Sequence, residues 1–438
     1  MNWAALDKEL IWHPFTSLRS GRNPLVVTEA SGIYLTTEDG RKIIDGISSW
    51  WVNLHGHSHP AIAEAIYQQA KKLEHVIFAD FTHTAAIELA QRLKEILPSS
   101  QVKFFFSDNG STAVEVAIKM ALQYWHNQGI NRKKIIAIEG AYHGDTFGSM
   151  AVGDRGPFTR AFHEHLFPVE FIPWPDGTND ADVLHAFEKA TLNSDVAAFI
   201  FEPLIQGAAG MRTYKASLLN QLMESAKQKN IITIADEVFT GFGRTGKLFA
   251  SEHLALQPDT MTLSKGLTGG TMALGITTCT QAIQSAFNSP EKFHTFFHGH
   301  SFTANPIACA SALASLRLLT TFSCQQRIAL IEESQKRFAE KLRAHTVIQQ
   351  VHQLGTVLSL EIKTSGQTSY FNNLRDWMYD YFLERNVLLR PLGNVLYFLP
   401  SYAFTEEDLN TVYCTIEEFL GSTQHQNGTS IDSNSLPA

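Results

Sequence analysis

The sequence predicts an α/β protein: a mostly parallel central sheet with helices on both faces, joined to a smaller α+β domain. Three observations carry this expectation. Short apolar runs alternate with longer stretches of helical periodicity through the middle of the chain, the runs are apolar at nearly every position, and the pattern changes after about residue 318. Unbroken apolar runs suit strands buried on both faces, as in a parallel sheet covered by helices.

Six runs read as strands of the large sheet: VKFFFSD (102–108), KIIAIEG (134–140), VAAFIFEPL (196–204), NIITIADEV (230–238), TMTLSKGL (260–267) and ALGITTCT (273–280). The first leads into TAVEVAIKMALQYWHNQ, where Val114, Ala117, Ile118, Ala121, Leu122 and Trp125 recur at helical spacing. Its entry, Asp108-Asn109-Gly110-Ser111-Thr112, has the short polar side chains of a helix cap. Later come an amphipathic helix in RIALIEESQKRFAEKLRA, short strands in TVLSLEI and VLYFLP, and a last helix in EEDLNTVYCTIEEFL. The predicted organisation is an N-terminal segment, 1–55, joining the small domain; a large domain, 56–317; the small domain proper, 318–421; and a disordered tail, 422–438, nearly free of apolar residues.

With 438 residues, 44% hydrophobic and 18% charged, the chain can bury a large core. A net charge of -8 without any Lys/Arg block gives no attraction to nucleic acid or anionic membranes, so a small molecule is the expected partner. Cys279, Cys309, Cys324 and Cys414 form no CxxC pair and are too sparse for a disulfide framework. The N-terminal MNWAALDKELIWHPF lacks the basic head and apolar run of a secretory signal, and no stretch of about eighteen apolar residues occurs. A soluble, cytoplasmic protein is expected.

Four local features point to chemistry in combination. SDNGST opens a helix after a strand, where backbone N–H groups, hydroxyls and the helix dipole suit a phosphate; taken alone it is an ordinary cap. Asp236 ends a buried strand, where open α/β sheets place ligands and a carboxylate can keep a pyridine nitrogen protonated. Lys265 ends another apolar run and precedes glycines, a setting that lowers the amine pKa and suits imine formation; taken alone, a snorkelling lysine is the commoner case. Tyr142, in EGAYHGDTFG, offers an aromatic face to a planar ring or to the core. All four fall at strand ends on one presumed sheet edge, as binding a phosphorylated aromatic aldehyde requires.

His55, His57 and His59 alternate as strand-borne metal ligands do, which raises a metal hydrolase as a rival reading. They sit beside Pro60 in a turn and no further cluster completes a first shell, so no metal is expected.

SDNGSTAVEVAIKMA, EGAYHGDTFGSM, FEPLIQGAAGM, ADEVFTGFGRTG, LSKGLTGG and HGHSFTANPIACA resemble class III (ω-type) aminotransferases of pyridoxal-phosphate (PLP) fold type I, over about residues 8–420. Within that class, IWHPFTS, GISSWWVNLHGHSHP and RPLGNVLYFLP are similar to the branch that aminates 8-amino-7-oxononanoate with S-adenosylmethionine in biotin biosynthesis. The resemblance implies Lys265 as the Schiff-base lysine and Asp236 as partner of the ring nitrogen. It implies Gly110 and Ser111 at the phosphate and Tyr142 on the ring. It also implies a homodimer in which Gly299, His300 and Ser301 are lent to the other subunit's cofactor site. Phe15, Trp50, Trp51 and Tyr142 would line the substrate channel, and Arg390 would meet the acceptor carboxylate. Phe15 stands where tyrosine is usual, as in relatives that use lysine as donor, while Trp50 and Trp51 point to S-adenosylmethionine. Lysine as donor, and another ω-aminotransferase activity such as one on ornithine or 4-aminobutyrate, are the alternatives. A regulatory relative without activity is disfavoured by Lys265, Asp236 and Arg390 together.

Overall fold

The computed structural model describes residues 1–424 apart from 20, 365 and 367. A seven-stranded sheet runs in the order Gln101–Ser107, Gly275–Thr280, Thr260–Leu263, Ile232–Asp236, Val196–Phe201, Lys134–Ile138 and Glu170–Ile172. Neighbours pair in parallel except Gly275–Thr280, which is antiparallel to both of its own. Only residues 264–274 join it to the preceding strand, fewer than the dozen or so that a parallel crossover needs.

Side chains of one strand alternate between two cores. Ala198 and Ile200 point, with Ile135 and Ile234, toward Val114, Ala117, Ile118 and Ala121 of the helix Gly110–Asn127. Phe199 and Phe201 lie in the other core, with Leu218, Leu222 and Met223 of the helix Ala216–Gln228. Burial of each such aliphatic or aromatic side chain contributes roughly 1.5–3 kcal/mol. Uniform apolarity along the strands reflects this two-sided cover.

The helices Phe322–Leu342, Leu374–Glu384 and Glu406–Gln424 accompany a small antiparallel sheet of Ile348–Leu354, Val357–Ile362 and Val395–Phe398. The last helix extends three residues into the span expected as tail, and 425–438 lies outside the described residues. A separate four-stranded sheet joins Val27–Ser31, Tyr34–Thr37 and Lys42–Asp45 to Val387–Leu388, which pairs in parallel through Val387 and Ile44. The N-terminal segment is thus hydrogen-bonded to the C-terminal part of the chain. Among the described residues no single helix is long and apolar enough to cross a membrane.

Candidate active site

The carboxyl ends of the parallel strands surround a cavity of about 650 Å³. Strand ends and the loops after them supply Gly110, Ser111, Tyr142, His143, Glu202, Asp236 and Lys265, and Trp51 enters from the N-terminal segment.

At one end the helix Gly110–Asn127 begins. Asn109 caps it, its Oδ1 accepting from Thr112 N at 3.0 Å, while Thr112 Oγ1 accepts from Asn109 N at 3.1 Å. Gly110 and Ser111, in the first turn, keep N–H groups without intrahelical partners, an anion site by geometry. A Cβ on Gly110 would lie 2.6 Å from Val238 Cγ1, and one on Gly144 only 2.2 Å from Ser111 Oγ. Gly144 also has φ +132°, so both glycines keep the cup open by close approach. Asp145 N donates to Ser111 Oγ at 3.1 Å, closing the far wall.

Asp236 is buried and accepts three hydrogen bonds: from Val238 N at 3.1 Å, from Thr262 Oγ1 at 3.0 Å, and at 2.7 Å from His143 Nδ1 when that nitrogen carries the proton. His143 Nε2 is buried without a partner among the described residues. Glu202, one strand over, accepts from the N–H groups of Tyr142 and Gly207, each at 3.0 Å. Burial raises its carboxyl to about 7, with the charge of Asp236 adding to the effect.

Lys265 adopts φ +43°, a left-handed conformation unusual for a side-chain-bearing residue and frequent where strain serves a site. Its Nζ lies 4.9 Å from the Trp51 ring centroid and 5.9 Å from that of Phe239. Burial lowers the amine pKa, and the carboxylates of Asp236 and Glu202 counter only part of that. The shift favours the neutral amine, the state needed for attack on a carbonyl.

Tyr142 lines the cavity and donates through its hydroxyl to Asp145 Oδ2 at 2.9 Å. Trp51 is buried, its indole N–H donating to Tyr397 Oη at 3.1 Å. Trp50 is exposed and does not line the cavity. Its ring lies 5.7 Å from Phe15 and 4.7 Å from the Arg390 guanidinium carbon. Among the described residues Arg390 makes no ion pair.

Of the sequence-predicted residues, the cavity brings together Gly110, Ser111, Tyr142, Asp236, Lys265 and Trp51. Phe15, Trp50 and Arg390 form a contiguous group that is not part of the cavity lining. Gly299, His300 and Ser301 lie outside the cavity of their own chain. The three alternating histidines take separate hydrogen-bond partners: His55 bonds Ser315, His57 bonds Asp45, and His59 caps the helix Pro60–Lys72, while the His55 and His59 rings lie 6.2 Å apart.

Sequence reasoning missed His143, Thr262, Glu202 and Phe239. Glu202 was within reach, since it follows a buried strand just as Asp236 ends one. His143 follows Tyr142 directly in the sequence, and only the fold shows that it turns inward to Asp236.

The chemistry of this donor set fits PLP. An anion cup, a buried carboxylate, an amine of lowered pKa and an aromatic wall converge, and glycines stand where a Cβ would narrow the cup.

Comparisons with known proteins agree. The family model for class III aminotransferases matches residues 16–420. An adenosylmethionine-8-amino-7-oxononanoate aminotransferase of Synechococcus elongatus is 47% identical, over 94% of this chain and 98% of its own. A protein of the same description from Anoxybacillus flavithermus is 37% identical over 97% and 98%. The crystal structure of one from Methanocaldococcus jannaschii superposes with a TM-score of 0.88 at 33% identity, covering 95% of this chain and 98% of that one. An amine transaminase from an uncultivated Pseudomonas species, in its PLP-bound form, gives 0.87 at 27% identity over 94% and 98%. With a family match along almost its whole length and relatives at this identity, the chain belongs to the class III aminotransferases, PLP-dependent transaminases.

Proposed function

We propose that this transaminase converts 8-amino-7-oxononanoate to 7,8-diaminononanoate, with S-adenosylmethionine as amino donor, in biotin biosynthesis. Relatives at 47% and 37% identity carry that description, and Trp50 and Trp51 stand together in this chain. The observation that carries the reading is Arg390: a guanidinium without a carboxylate partner among the described residues, stacked on Trp50 beside the wall that Trp51 forms over Lys265. An acceptor with a terminal carboxylate and a reacting ketone some distance away needs such a fixed cation, and a planar fork suits it.

PLP, when bound, supplies an electron sink for the carbon that gains or loses the amine. Asp236, fixed by its three hydrogen-bond donors, would stand as the carboxylate partner of the ring nitrogen. Gly110 and Ser111 would anchor the phosphate of PLP, and Tyr142 would cover its ring. Lys265 Nζ would carry one proton between the substrate carbon and the cofactor carbon, in one direction in the donor half of the cycle and in the other in the acceptor half. Trp51 and Phe239 exclude water around that amine.

We further read the protein as a cytoplasmic homodimer. Gly299, His300 and Ser301 lie between Phe297 and Phe302, which are 71% and 64% exposed, an apolar surface suited to a second copy. His300 Nε2 is buried without a partner among the described residues. In a dimer this segment would reach the other subunit's phosphate.

Steady-state assays with S-adenosylmethionine or lysine as sole donor, with 7,8-diaminononanoate measured by mass, test the reading. Product with S-adenosylmethionine and little with lysine is expected. Product with lysine alone would move the chain to the lysine-using alternative that Phe15 permits.

A further inference from the structure

Four consecutive residues, Ser48, Ser49, Trp50 and Trp51, have φ of 50°, 44°, 69° and 75°. None is glycine. Left-handed backbone is disfavoured at each, so a run of four persists only when its surroundings over-determine it.

The surroundings are two buried charges. Arg244 is 1% exposed and has no ion-pair partner among the described residues. Its Nη1 donates to Pro400 O at 2.8 Å, and its Nη2 to Asn53 O at 3.1 Å and Trp51 O at 3.3 Å. At the other end, Asp45 accepts from Ile47 N at 3.2 Å and from Ser49 Oγ at 2.7 Å, with His57 Nε2 at 2.9 Å. Ser48 Oγ donates to Leu399 O at 2.8 Å, beside Pro400. A buried cation without a direct ion pair is a costly way to join segments, and an apolar side chain would serve mere packing better. What the planar fork offers is the simultaneous placing of three carbonyls.

We propose that this left-handed turn is a positioning device for substrate, set by Arg244 on one side and by Asp45 through Ser49 on the other. The turn sends successive tryptophans to opposite tasks: Trp51 over Lys265, and Trp50 under Arg390. An ordinary right-handed turn would not present both rings in these directions. Arg244, Asp45 and Ser49 are positioning residues and do not line the cavity. The proposal rests on the reading of Trp50, Trp51 and Arg390 as the substrate wall.

A double-mutant cycle tests it. Arg244→Lys and Ser49→Ala are each made alone and with Trp50→Ala, and kcat and KM for 8-amino-7-oxononanoate are measured. Only variants with wild-type cofactor absorbance and a cooperative unfolding transition are compared. Arg244→Lys and Ser49→Ala should each raise the acceptor KM by about tenfold with a smaller change in kcat, yet by less than about twofold once Trp50 is alanine, because coupled residues are not additive. Equal fold-losses in both backgrounds would make Arg244 and Asp45 structural glue and overturn the proposal. Wild-type KM in the folded single variants would do the same. Should Arg244→Lys fail to fold, the Ser49→Ala pair decides. A Trp50→Ala enzyme with unchanged KM would instead show that the substrate-wall reading itself has failed, and the proposal with it.

Discussion

Replacing Asp236 by asparagine keeps its volume and removes its charge, at a carboxylate that holds three partners at once. Its Oδ1 faces two donors, Val238 N–H and Thr262 Oγ1, so the amide nitrogen must take the Oδ2 position opposite His143 Nδ1. His143 must then accept there and carry its proton on Nε2, which is buried without a partner among the described residues. The variant therefore loses the ionic partner of the ring nitrogen and inverts the tautomer behind it. Breaking a buried charged pair costs roughly 2–5 kcal/mol, about 30- to 5,000-fold in rate. Thr262→Val, which removes one hydrogen bond to that carboxylate worth about 1.5–3 kcal/mol, should cost about 10- to 150-fold. Stopped-flow absorbance of the donor half-reaction, with the cofactor Kd measured in parallel, gives both figures. Asp236→Asn within threefold of wild type, at full cofactor loading, would refute the assignment.

Lys265→Ala should still bind PLP through the phosphate cup but show no turnover, and borohydride should fix the cofactor to the wild-type chain at Lys265 alone; a labelled peptide carrying another lysine would contradict this. Arg390→Ala should raise the acceptor KM roughly 10- to 150-fold, the worth of a charged hydrogen-bonded contact of about 1.5–3 kcal/mol, and Arg390→Lys should recover part of it. Equal damage to both half-reactions, or to neither, would count against the carboxylate anchor. Gly144→Ala, whose Cβ would meet Ser111 Oγ at 2.2 Å, should weaken PLP binding in a direct titration while leaving the secondary structure intact. Glu202, raised to about 7 in the fold, binds more protons folded than unfolded between its ordinary pKa and 7, so it costs stability as pH climbs through that window. The Tm of the cofactor-free Glu202→Gln variant should therefore gain on wild type from pH 5 to pH 8, and a constant difference would show that Glu202 titrates normally.

The parts of the fold written as pattern were legible, and those written as geometry were not. Strands such as Val196–Phe201 are apolar throughout because both faces are covered, and that alone announces them. Glu170–Ile172 is three residues at a sheet edge and carries too little pattern to be seen. Lys265, Asp236 and the Gly110 cup stood out because each ends a strand or opens a helix. The turn at Ser48–Trp51 left no trace, since positive φ is normally flagged by glycine or asparagine and here is imposed by Arg244 and Asp45, distant in sequence or hidden in a strand. Val387–Leu388 escaped for a similar reason: two residues pair with Lys42–Asp45 across almost the whole chain.

The central claim is that Lys265, Asp236 and Arg390 act on one acceptor, and a donor-free single turnover tests it most directly. Enzyme preloaded with pyridoxamine phosphate is mixed with 8-amino-7-oxononanoate alone, and with simple 2-oxo acids in parallel. The account predicts one 7,8-diaminononanoate per Lys265 site as the PLP absorbance returns, with far slower return for the 2-oxo acids. Rapid return with a 2-oxo acid and none with 8-amino-7-oxononanoate would contradict it.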